Sequence, residues 1–195
     1  MQSVDILRLG TRVVVRAVAV AAAAGTFASS CAVQPQYSTE TSYNRGVDAW
    51  KAKNYSETAR QWSTSALLGD VDALNNLAFL YSTGQGVTQN EDIAVSLWHL
   101  AAYSGHSEAQ WHLGGAYEQG LGVPKDLSMA YAWYGCAIVS AQRRAHNDVS
   151  GTEAKIESDA QGSLASLKTT LEQTALSRGE ELKDTLVRRY GIGAS

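Results

Sequence analysis

The sequence predicts an all-α fold, a short α-α solenoid of helix pairs finished by capping helices at its C-terminal side. Three observations carry this. Alanine and leucine are plentiful, only Pro35 and Pro124 interrupt the 195 residues, and past the N-terminal stretch no strand-type run of Val, Ile and Thr occurs. A 36-residue period runs through the middle of the chain, and such a period marks stacked helix pairs. Beyond it, apolar residues fall three or four apart, which is one helical face.

Residues 1–30 read as an address. Arg8, Arg12 and Arg16 precede an uncharged apolar block, residues 17–28, and small residues follow before Cys31. A charged start, an apolar middle and a small-residue end make a secretory signal. Even counted from Val13, the block barely reaches the length that spans a bilayer, and its many alanines are weakly apolar. Ala28-Ser29-Ser30-Cys31 resembles the lipobox of bacterial lipoproteins, with Ala28 where leucine is usual. That resemblance implies a lipidated Cys31 and a membrane attachment through the lipid. The alternative is an ordinary signal peptide with a cysteine nearby. By the sorting habit of that family, Ala32 in place of aspartate implies an outer-membrane lipoprotein facing the periplasm; an ordinary signal peptide implies instead a soluble periplasmic or secreted protein. Residues 31–40 show no periodicity and read as a tether.

The period appears when residues 70–105 are laid over 106–141. Ala73, Leu77 and Tyr81 fall on Ala109, Leu113 and Tyr117; Gly84, Gly86 and Val87 on Gly120, Gly122 and Val123; Ala94 and Ala101 on Ala130 and Ala137; Trp98 on Tyr134. Each unit predicts a first helix, a glycine stop, a turn, a capping Asn90 or Asp126, and a second helix. Residues 41–69 predict a related pair without the long loop, because Trp62, Ala66 and Gly69 precede Trp98, Ala102 and Gly105 by the same period. The segments Ala109-Gln-Trp-His-Leu-Gly-Gly-Ala-Tyr117, Gly120-Leu-Gly-Val-Pro-Lys-Asp126 and Ala130-Tyr-Ala-Trp-Tyr134 resemble the Sel-one-like repeat, a longer-looped relative of the tetratricopeptide repeat. The first unit departs from that pattern in lacking the proline and in having Asn90 for aspartate.

Residues 142–195 predict the capping helices. Ile156, Ala160, Leu164, Leu167, Leu171 and Ala175 form one stripe, and Ser177-Arg-Gly-Glu180 has the form of a capping box that starts a last helix with Leu182, Leu186, Val187 and Tyr190. Residues 145–152 read as a loop.

The chemistry-bearing residues point away from catalysis. The net charge is -3, and no basic patch with interleaved aromatics is present, so nucleic acid is not an expected partner. His99, His106, His112 and His146 have no Cys or Asp at metal spacing and read as solvated or satisfied side chains. Cys136, between Gly135 and Ala137, reads as a small buried filler. Gly84-Gln-Gly86 and Gly120-Leu-Gly122 lack the third glycine and the lysine of phosphate loops and recur as turns. No nucleophile, base and orienting group form a set, so the expectation is no enzyme, no metal and no cofactor.

What remains is a scaffold in the cell envelope that holds a protein partner, in the assembly of a secretion or polysaccharide-export complex; the alternative is a cell-wall-active hydrolase or its regulator. The resemblance implies binding along the first helices of each pair. The matching positions are Tyr43, Trp50, Asn75, Phe79, Ser82, Glu108, Trp111 and Glu118, at offsets the shared core positions leave free to vary. The competing reading makes Trp50 and Trp111 core aromatics, with Phe79 and Trp111 closing the superhelix inward.

Overall fold

A computed structural model describes residues 38–192. The signal segment, Cys31 and the tether up to residue 37 lie outside the described residues. Among those described there are eight α-helices and no strand: α1 (Thr39–Lys51), α2 (Tyr55–Leu67), α3 (Val71–Thr83), α4 (Glu91–Tyr103), α5 (Ser107–Gln119), α6 (Leu127–Arg144), α7 (Thr152–Thr170) and α8 (Gln173–Tyr190). This is the all-α repeat solenoid class that the sequence implies. None of these helices is long and apolar enough to cross a membrane.

The chain divides into two compact units, residues 1–97 and 98–195, and the division falls within α4. In the first, α1 packs on α2 and α2 on α3. In the second, α6 packs against α5, α7 and α8.

Short polar side chains set where the helices start. Ser38 Oγ accepts from Thr41 N at 3.1 Å. Asp70 Oδ1 accepts from Ala73 N at 3.0 Å, Asn90 Oδ1 from Ile93 N at 3.0 Å, and Asp126 Oδ1 from Ser128 N and Met129 N at 3.0 and 3.1 Å. Each satisfies first-turn N–H groups that have no carbonyl partner within the helix. Because Ser38 caps, Thr39 and Glu40 are helical rather than part of the tether. His106 caps α5 in the same way, its Nδ1 accepting from Ala109 N at 3.2 Å. Gly84 and Gly120 end α3 and α5 in the left-handed region, at φ 72° and 79°, where a Cβ would clash.

The shared positions of the repeat are core. Ala73, Ala94, Ala101, Ala109, Leu113, Ala130 and Ala137 are fully buried, and Leu77, Trp98 and Tyr134 nearly so. Tyr81 and Tyr117 are half-buried. In the first and last pairs the helices interlock by seating an aromatic ring on a glycine. A Cβ on Gly46 of α1 would lie 2.4 Å from the Trp62 ring of α2, and a Cβ on Gly114 of α5 would lie 2.4 Å from the Tyr134 ring of α6. Glycine costs helix stability in isolation, but here it admits a ring that a methyl would exclude.

The C-terminal part differs from the sequence expectation at two points. The stripe from Ile156 to Ala175 is not one helix: α7 ends at Thr170, Leu171 is extended, and Ala175 belongs to α8. Ser177 does not cap the last helix, because α8 begins at Gln173 with Glu172 as its cap residue. Tertiary packing uses the Ser177–Glu180 segment instead. Tyr131 lies over Gly179 and its hydroxyl donates to Glu180 Oε1 at 2.5 Å, while Lys183 pairs with Glu180 Oε2. A side chain engaged with α6 and Lys183 replaces the reciprocal cap. Within the expected loop 145–152, residues Ala145–Asn147 form a 3₁₀ turn, and Asp148 Oδ2 accepts from Glu153 N.

Two histidines are packed into the second unit. The His99 ring lies between Tyr103 and Trp133, at centroid distances of 5.4 and 5.5 Å, with Nε2 3.4 Å from the Tyr117 hydroxyl. His112 stacks on Trp98 at 4.7 Å. Burial opposes the imidazolium and pulls both down to about 4.

Two predictions follow from this packing. Gly114→Ala should cost about 1–3 kcal/mol through overpacking against Tyr134. Gly115→Ala, whose Cβ would meet nothing closer than 3.7 Å, should be neutral or stabilise by up to about 1 kcal/mol through helix propensity. Urea unfolding measures both, and equal effects would refute the interlock. The second prediction concerns acid. Between pH of about 6.5 and about 4 the unfolded chain binds protons at His99 and His112 that the folded chain refuses, so stability falls as pH falls through that window. His99→Phe should flatten that limb by up to about 1.4 kcal/mol per pH unit. An unchanged slope in melts across this range would show that His99 is not buried in its neutral form.

Candidate partner-binding surface

The nominated positions are divided between the two units. In the first, Tyr43, Trp50, Asn75, Phe79 and Ser82 belong to one connected set built around Trp62. Tyr43 stacks on Trp62 at 6.4 Å and Trp50 stacks on it at 5.8 Å. Phe79 meets Trp50 edge-on at 6.1 Å, and Tyr55 does so at 5.0 Å. Trp62 itself is 5% exposed, while Tyr43, Trp50, Tyr55 and Phe79 are half-buried. α1 supplies Tyr43 and Trp50, α2 supplies Tyr55 and Trp62, and α3 supplies Phe79. The result is an aromatic wall with a buried anchor and a partly open outer layer.

Polar groups hold this wall in place. Asn76 Nδ2 donates to the Tyr43 hydroxyl oxygen at 3.1 Å, and Asn75 Nδ2 reaches Asn76 Oδ1 at 3.4 Å. Asn75 is 2% exposed, so it acts on the surface through Asn76. Asn76, absent from the sequence reading, is the residue that touches Tyr43. Ser82 Oγ donates to the Phe79 carbonyl at 3.0 Å, and the Ser82 carbonyl accepts from Gln89 Nε2 at 2.8 Å. Of these contacts only Asn76–Tyr43 joins sequence-distant residues, and no local pattern announces it.

In the second unit the nominated residues have separate surroundings. Glu108 lies on α5, its carboxylate 4.0 Å from His112 Nε2. Trp111 packs against the buried cluster that includes Tyr131, Tyr134, Ala137 and Ile156, and its indole nitrogen is enclosed. Glu118 Oε2 accepts from the Tyr134 hydroxyl at 2.7 Å. Burial and this carboxylate together raise the Tyr134 phenol well above its ordinary range. Glu118 thus braces the ring that seats on Gly114.

Reactive side chains elsewhere are quiet. Cys136 is fully buried, and burial pushes its thiol up to about 12, a poor nucleophile at neutral pH. Among the described residues no three His, Cys, Asp or Glu side chains gather as they would around a metal ion. Glu153 is buried where Ser107 Oγ donates to its Oε2 at 2.5 Å and Arg144 Nε to its Oε1 at 2.6 Å, which ties α5, α6 and α7 together.

The Sel1 repeat family model matches residues 71–106 and 107–138. These nearly coincide with the two units of the 36-residue period. The fold is similar to that of a protective antigen of uropathogenic Escherichia coli that displays an SLR fold, with a TM-score of 0.64 and 24% identity over 80% of this chain and 32% of that one. The present chain therefore spans about a third of that antigen. A Sel1 repeat protein from Oxalobacter formigenes is 26% identical over 62% of this chain and 88% of its own, at a TM-score of 0.48. No curated protein matches the sequence. The helix pairs of residues 71–106 and 107–138 match the Sel1 repeat, and over those residues the chain carries two tandem repeats of that type.

Proposed function

We propose that this chain is a non-catalytic scaffold that holds a protein partner in the bacterial envelope, anchored by lipid on Cys31. Sel1-repeat proteins are helical-repeat scaffolds for protein–protein interaction. The observation that carries the reading here is the aromatic wall of Tyr43, Trp50 and Phe79. Its inner face is fixed on Trp62 and by the Asn75–Asn76 bonds, while its outer layer stays partly open. Rigid aromatics lose little entropy on binding and supply large contact areas. Glu108 adds a carboxylate on the first helix of a later pair.

The anchor rests on the charged start, the apolar block and Cys31 in its lipobox-like setting. A lipid with a second attachment, such as a partner, holds a protein at a membrane more firmly than one chain alone. Assembly of a secretion or polysaccharide-export complex is the setting we assign to it.

Two outcomes test the proposal. With labelled palmitate, the wild-type chain should carry fatty acid and Cys31→Ser should carry none; a wild type without lipid ends the anchor reading. In capture from envelope extract with the full-length chain, Ser82→Arg and Glu108→Arg should each weaken retention of the same partner at least tenfold, whereas Thr169→Arg, on the exposed face of α7, should not. Helical content and melting temperature are compared first. Undiminished capture by both folded variants would remove the first helices as the binding surface.

A further inference from the structure

The end of α6, the end of α8 and the Ser104–Gly105 link line an open pocket of about 460 Å³ in the second unit, within the range of small-molecule sites. None of the residues nominated for partner binding lines it, and no acidic side chain is among its described lining residues. Each of its polar side chains can donate a hydrogen bond. Ser140, 3% exposed, has a Oγ that is enclosed and has no hydrogen-bond partner. A buried hydroxyl in that state is unfavourable until an acceptor arrives. Arg143 lies three residues on along α6, so the two share a face. It is exposed, and no carboxylate among the described residues engages it. Arg144 is different: Glu153 already balances its charge at 2.6 Å. Asn147 adds an amide, and Tyr103 and Tyr190, stacked at 4.0 Å, make one wall.

The cavity therefore offers one unbalanced guanidinium, one waiting hydroxyl and an aromatic side. We infer that it binds the carboxylate of a small organic acid. Arg143 takes the two oxygens side by side, the arrangement that a planar guanidinium favours, and Ser140 donates to one of them. The charge of the ligand is limited by its surroundings. α4, α6 and α8 all end here, and helix C-termini carry roughly half a negative charge each. In α4 part of this is met, since Ala101 O accepts from Ser104 N and His106 N, and Ala102 O from Gly105 N and Gln110 Nε2. The remainder opposes a second charge on the ligand, which favours a carboxylate over a phosphate dianion. The acid group belongs either to a peptide C-terminus or to a sugar acid.

Isothermal titration of the full chain separates these. The probes are N-acetyl-alanyl-alanine and sodium glucuronate, with N-acetyl-alanyl-alanine amide and glucose as neutral counterparts and glucose 6-phosphate as the dianion. At least one carboxylate should bind saturably and its neutral counterpart should not; the one that binds identifies the source. Arg143→Gln should weaken it tenfold or more, and Ser140→Ala threefold or more, with helical content unchanged. No binding of either carboxylate would overturn the inference. So would binding that Arg143→Gln leaves intact, or tighter binding of glucose 6-phosphate than of both carboxylates.

Discussion

The seating of an aromatic ring on a bare stretch of helix backbone governs the rest of this molecule. Trp62 over Gly46 and Tyr134 over Gly114 bring two helices to the separation at which small side chains touch. That separation explains why shared core positions of α5 and α6 are alanine: at Ala109, Ala130 and Ala137 a larger residue would force the helices apart. The core gains its apolar area from a few large rings. Ring position then decides what is left outside. The atoms of Trp62 that do not face Gly46 support Tyr43 and Trp50, so one side chain is both a fold determinant and the base of the aromatic wall.

The same economy shapes the polar interior. Glu118 holds Tyr134, Glu180 holds Tyr131, and Glu153 is held by Ser107 and Arg144. Each bond joins different helices, and each carboxylate is engaged on elements it helps to position. Pairing of this kind orients the rings more than it adds stability, because the cost of desolvating the charges offsets much of the attraction. It also shows how α6 comes to pack against three other helices: its tyrosines point to partners on α5 and α8, and its last turn reaches α7.

Much of the fold was legible because its rules are local. The 36-residue period, the glycine stops at Gly84 and Gly120, and the caps at Asn90 and Asp126 each act within a few residues of chain, and the structure has them where the pattern places them. The boundary between α7 and α8 was not legible, since the apolar stripe continues with helical spacing across the extended Leu171. Ser177–Glu180 misled for a related reason: a capping pattern is satisfied in sequence while its glutamate is used by Tyr131. His106 as a helix cap escaped because imidazole seldom fills that role. On the surface, the aromatic positions could be nominated from their offsets. Asn76 at Tyr43 and Ser140 in the C-terminal cavity could not, because their roles depend on residues or a void that only tertiary folding brings near.

The contrast between α6 and the preceding helices bears on how such a chain can grow. At the junction of Gly105 and His106, each flanking element ends in a backbone turn and begins with its own cap. A further unit of one period duplicated there would find each neighbour presenting the same small-residue surface, and the array would lengthen in register. Past Arg144 the rule no longer holds. Tyr131 is committed to Glu180 and the end of α6 to Glu153, so an added unit would have to evict two helices before it could stack. A unit inserted inside the array therefore leaves these contacts whole, whereas one inserted past Arg144 breaks them.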